Sequence, residues 1–102
     1  MEANINISIT ARKFKIHDSL KDFINEEVTS LQKYNDNILH ADIILSYQNL
    51  KSSVKKSEIV LHVPGQTFNA GEDSDDFKKS VSSSVDKLSR QLKKLKSKRT
   101  TY

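Results

Sequence analysis

Residues 75–98 read DDFKKSVSSSVDKLSRQLKKLKSK. Phe77, Val81, Val85, Leu88, Leu92 and Leu95 recur at intervals of four, four, three, four and three. That is the period of one face of an α-helix. Ser82, Ser83 and Ser84 fall between Val81 and Val85 without breaking the phase, so the spacing predicts a helix over about Asp75–Lys98. The acidic run Glu72, Asp73, Asp75 and Asp76 is expected at its start, where negative charge meets the positive end of the helix dipole. A helix with one apolar stripe must bury that stripe against another layer. The rest of the chain therefore has to supply a surface.

Working outward, the surface reads as strands. Thr67–Gly71 is a short strand with Phe68 and Ala70 inward, entered through the Pro64-Gly65 turn. Lys55–Val63 places Ile59, Leu61 and Val63 on one face. Leu39–Gln48 does the same with Leu39, Ala41, Ile43, Leu45 and Tyr47. Gln48–Ser53 reads as a hairpin loop. At the start, Ile5, Ile7 and Ile9 alternate with Asn6, Ser8 and Thr10, which is a half-buried strand over about Asn4–Ala11. Between the first two strands, Leu20, Phe23, Ile24, Val28, Leu31 and Tyr34 repeat at helical spacing. Asp18 or Ser19 is expected to cap that helix, about Ser19–Lys33, and Asn35-Asp36-Asn37 to end it.

The predicted order is β-α-β-β-β-α. A helix between the first two strands implies a parallel crossover, and the remaining strands form a meander. Each element has one apolar face, so the predicted class is α+β. It has a four-stranded mixed sheet, two helices packed on one face, and a polar open face on the other side. The 102 residues make one domain, 1–102.

The charge is uneven. Lys87, Arg90, Lys93, Lys94, Lys96, Lys98 and Arg99 fall within the final helix and its end, and no acidic residue interrupts them. The remainder holds ten basic and thirteen acidic residues, so the net charge of +4 is a local excess. On a wheel of about 100° per residue, Lys87, Arg90, Lys94 and Lys98 form a stripe about 80° wide, away from the leucines. Charge runs are usually solvated faces. This one, uninterrupted, with no i,i+4 glutamate partners to neutralise it and set along some 16 Å of helix, suits a polyanion such as RNA. Arg12, Lys13 and Lys15 after the first strand, and Lys51, Lys55 and Lys56 around the hairpin, are auxiliary candidates. The topology places Arg12 at the opposite end of the sheet from the helix C-terminus.

No residue pattern carries catalysis. There is no phosphate loop, no dinucleotide fingerprint and no nucleophile elbow. His17, His40 and His62 lack ligand-like spacing, and residues 72–76 lack the calcium-loop pattern. No metal, cofactor or small-molecule substrate is expected. Cysteine is absent, no apolar run approaches a membrane span, and MEANINISIT has no positive stretch followed by an apolar one, so no secretory signal is expected. A cytoplasmic protein with no membrane association is expected.

The stretches INISITARKFKI and GQTFNAGEDSDDFKKSVSSSVDKLSRQLKKLKSK, above all Asp86–Lys94, resemble the ribosome hibernation promoting factor and ribosome-associated inhibitor family, also called the sigma-54 modulation family. The resemblance implies a fold like that of double-stranded RNA-binding domains. It implies binding to the rRNA of the small ribosomal subunit, in the channel used by messenger and transfer RNA, and inhibition of translation by occupancy. By position, the family's rRNA contacts would fall on Lys87, Arg90, Lys93, Lys94 and Lys96, with Arg12 as a further candidate. Lys98 extends the same stripe. Ala11 departs from the family pattern, in which glycine often precedes the arginine. The length resembles a short form, monomeric when free. From the residues alone, a regulatory module whose basic helix binds an acidic protein, such as a transcription modulator, is the alternative.

Overall fold

The computed structural model describes residues 5–47 and 54–100, the last six of these by their backbone. The predicted hairpin loop with Lys51 lies outside the described residues. In β1 (Asn6–Ala11), Ile7 and Ile9 turn inward while Asn6, Ser8 and Thr10 face solvent. The two-residue period of an extended chain dictates this. α1 (Asp18–Thr29) follows and tightens into a 3-10 turn, Ser30–Lys33. β2 (His40–Tyr47), β3 (Lys55–Val63) and β4 (Gln66–Ser74) lead to α2 (Phe77–Thr100). The sheet order is β1-β2-β3-β4. β1 runs parallel to β2, and the other neighbours are antiparallel. The chain is thus the expected mixed sheet with two helices. At the β3–β4 turn, Pro64 is followed by Gly65 at φ 87°, a conformation in which a side chain would be strained.

One core holds the layers together. Ile24, Val28 and Leu31 from the first helical segment meet Ala41, Ile43 and Leu45 of β2. Ile59, Leu61 and Val63 of β3 and Phe77, Val81, Val85, Leu88 and Leu92 of α2 complete the cluster. Both helices therefore cover the same face. Ile5, Ile7, Phe23 and Phe68 pack against its margin and are half-buried. Where α2 crosses β3, buried Ser57 and Ser84 share a hydrogen bond at 2.9 Å between their hydroxyls. Buried Ser80 donates to the Phe77 carbonyl at 3.1 Å. Small side chains let helix and sheet approach, and these bonds offset the desolvation of the hydroxyls.

Several boundaries differ from the sequence reading, each for a physical reason. β4 continues through Glu72 and Asp73, which were expected at the helix start. Asp73 stands directly opposite Lys56, so opposite charges extend the ladder. Only Asp75 and Asp76 are left before α2. Asp76 caps it, accepting from the Lys78 N–H at 3.2 Å. α1 has no side-chain cap, and neither Asp18 nor Ser19 serves as one. The His17 carbonyl accepts from the amides of Leu20 and Lys21 at 3.1 Å each, placing Asp18 and Ser19 inside the first turn. Leu39 is 58% exposed and Ile38, only 4% exposed, takes the inward place. The strand alternation starts only where the strand starts, at His40. Before it the chain leaves an Asx turn, in which the Asn37 N–H donates to Asn35 Oδ1 at 2.8 Å. Tyr47, at the far end of β2, is exposed along one side and packs edge-on against Phe14 and Phe77.

Candidate nucleic-acid interface

α2 carries the cations because its buried stripe leaves them nowhere else to go. Val85, Leu88 and Leu92 are fixed in the core, so Lys87, Arg90 and Lys94 are exposed on the outer side. The side chains of Lys96 and Lys98 lie outside the described residues, on a helix whose backbone continues past them.

The exposed cations have different surroundings. Lys87 Nζ lies 3.0 Å from Glu72 Oε2 and donates to the Gly71 carbonyl at 3.2 Å. Arg90 Nη2 lies 2.8 Å from Asp86 Oδ2, an i,i+4 pair along the helix. The basic run, uninterrupted in sequence and expected to lack a neutralising i,i+4 partner, is therefore partly neutralised in space, by the aspartate that borders it and by a glutamate of β4. Lys93 lies over the Tyr34 ring at 5.1 Å, and Lys33 approaches the same ring at 5.3 Å. The Lys93 contact ties the end of the first helical segment to α2. Lys94 is exposed and makes no ion pair with a described residue.

Arg12 is exposed at the end of β1, where its backbone N–H donates to the Leu45 carbonyl at 2.9 Å. Two residues on, Phe14 stacks on Phe77 at 5.0 Å. Arg12 therefore belongs to the end of the molecule where α2 begins. Lys94 lies seventeen residues further along the helix, about 25 Å away. The fold does not bring Arg12 into the cationic stripe. Lys55 is at Arg12's end too, over the Tyr47 ring at 5.6 Å and donating to the Asp75 carbonyl at 3.1 Å. Asp75 itself is held below the usual carboxylate range, first by the charge of Lys79.

A second cluster occupies the open sheet face. His40 and His62 are cross-strand neighbours, and Asp42 lies between them. His40 Nε2 is 2.6 Å from Asp42 Oδ1, and His62 Nε2 is 3.2 Å from Oδ2. Sequence spacing hides this trio because it spans two antiparallel strands. Among the described residues no group of three His, Cys, Asp or Glu is arranged to hold a metal ion. The His40 hydrogen bond is the main reason that the Asp42 carboxyl sits below its usual range. Partial burial opposes it and the His62 bond adds to it. A carboxyl depressed on folding stabilises the protein above its unfolded pKa, and that share is lost as pH falls through the folded value. The melting temperature of the wild type should thus fall more steeply than that of Asp42→Asn between about pH 5 and pH 2. The effect is modest because Asp42 is partly exposed. Parallel curves in thermal melts would contradict the assignment.

No described helix is long and apolar enough to cross a membrane. Comparison with known proteins agrees with the architecture. The pattern that defines the sigma 54 modulation protein / S30EA ribosomal protein family matches residues 7–100. A relative from Azotobacter vinelandii, named ribosome hibernation promoting factor, is 30% identical over 94 residues, covering 92% of this chain and 85% of the relative. The N-terminal domain of Thermus thermophilus Protein Y is similar in structure, with a TM-score of 0.77 at 28% identity over 91% of this chain and 99% of that one. A ribosomal subunit interface protein from Coxiella burnetii is similar with a TM-score of 0.81, also at 28% identity, over 91% of this chain and 99% of that one. With residues 7–100 of its 102 matched, the chain belongs to the sigma 54 modulation protein / S30EA ribosomal protein family.

Proposed function

We propose that this protein is a ribosome hibernation factor. It binds rRNA of the small ribosomal subunit in the channel used by messenger and transfer RNA, and it inhibits translation by occupying that channel. The observation that carries the reading is the exposed cationic side of α2, set back to back with a buried apolar stripe. Such a helix offers charge to phosphates without disturbing its own packing. Family membership and the names of relatives support association with the ribosome. The contacts are Lys87, Arg90, Lys93, Lys94, Lys96 and Lys98, with Arg12 as an outlying one. Binding needs no nucleotide or metal, the free protein is a monomer, and the reaction with the ribosome involves no chemistry.

Sedimentation with purified small subunits across a salt series tests this. Neutralising about four phosphates predicts a log–log slope of roughly −3 to −4, from release of condensed counterions. Salt-insensitive binding would indicate a protein partner in place of RNA. Failure to bind at low salt would refute the reading.

A further inference from the structure

The two cations that open the stripe are the two held by carboxylates. Lys87 spends two of its three donors on Glu72 and the Gly71 carbonyl. Arg90 is engaged by Asp86. These four charged side chains, with Ser82 and Ser83, line one shallow recess between α2 and β4. Glu72 reaches it because β4 runs on past Gly71, placing its side chain beside the helix. Asp86 reaches it from one turn earlier on α2. The recess therefore carries as many negative as positive charges, while Lys94, one turn beyond Arg90, has no such partner among the described residues.

We propose that Glu72 and Asp86 mask Lys87 and Arg90, and that these carboxylates limit the protein's affinity for RNA. The inference rests on the RNA-binding reading of α2. A phosphate approaching Lys87 must compete with a carboxylate already 3.0 Å from the ammonium, and it then lies beside that carboxylate. The same holds at Arg90. Both pairs are partly exposed, 46% and 37% for Lys87 and Glu72, so each is a weak and breakable mask. The result is a graded helix, neutralised at Lys87 and Arg90 and without an ion pair at Lys94 among the described residues. Binding is then anchored at Lys94 and stays sensitive to salt and reversible.

The experiment measures binding to purified small ribosomal subunits for the wild type, Glu72→Gln, Asp86→Asn and their combination, with folding checked by circular dichroism. Exposed pairs of this kind weigh up to about five-fold in an equilibrium constant. Each substitution should tighten binding about three-fold and the combination about ten-fold. Two freed cations should steepen the salt slope by about two. Lys87→Gln supplies the decisive comparison. Its cost should be small in the wild-type background and larger once Glu72 is glutamine. Equal costs in both backgrounds would mean that Glu72 acts only at long range and would overturn the masking. Unchanged affinity in both carboxylate variants would overturn it too, while leaving the RNA-binding reading in place. A wild type that fails to bind at low salt would remove both. Because Glu72 and Asp86 lie on different elements, misfolding of one variant leaves the other to decide.

Discussion

Glutamate at Lys87, Arg90 and Lys94 together is expected to abolish inhibition of translation in a purified system while the protein stays folded. Each replacement turns an exposed cation into an anion on the outer side of α2. At Lys87 and Arg90 the new carboxylates also stand beside Glu72 and Asp86, so the local field changes from neutral to strongly negative. The core stripe through Val85, Leu88 and Leu92 is untouched. The fitting control reverses Lys21, Lys78 and Lys79, which are exposed at the start of α1 and in the first turn of α2. There added negative charge suits the helix dipoles. Lys33 is unsuitable as a control because it shares the Tyr34 ring with Lys93. Full inhibition by the folded triple variant would refute the site. Equal loss in the control would show that only total charge counts.

Leu88→Ala is expected to cost about 2–5 kcal/mol. Leu88 is fully buried where α2 meets the sheet, and alanine leaves a cavity there. A domain of this size has roughly 5–15 kcal/mol in total, so the loss is a large part of its stability. The melting temperature should drop by about 8 °C or more. Lys94→Ala, on the exposed side of the same helix, should stay within about 0.5 kcal/mol of wild type. An unchanged melt for Leu88→Ala would mean that α2 does not pack as described, and the two-layer architecture would be wrong.

Periodicity made the layers legible because burial here is regular. β3 spans the residues that its alternation indicates, and Phe77, Val81, Val85, Leu88 and Leu92 are all buried. The misplacements lie where regularity stops. Leu39 precedes the ladder, so its parity says nothing about its side. Glu72 and Asp73 look like helix-start residues until Ser57 and Lys56 appear opposite them, which only pairing reveals. Ser57 and Ser84 look like surface serines, and their burial depends on two distant elements meeting. Within the site, the expectation that no i,i+4 partner neutralises the run considered glutamates alone and missed Asp86, the aspartate that borders the run and pairs with Arg90. The Glu72–Lys87 pair was not legible, because its partners come from an edge strand and a helix. The same reason hid the contact of Lys93 with Tyr34 and the trio of His40, Asp42 and His62.

Cryo-electron microscopy of the protein bound to small ribosomal subunits tests the central claim most directly. The account predicts density for this chain in the channel that messenger and transfer RNA use. The Lys93–Lys94 side of α2 should lie against rRNA phosphates, and Arg12 should be well separated from that contact. Density elsewhere on the subunit, or in the channel with α2 turned away from RNA, would contradict it.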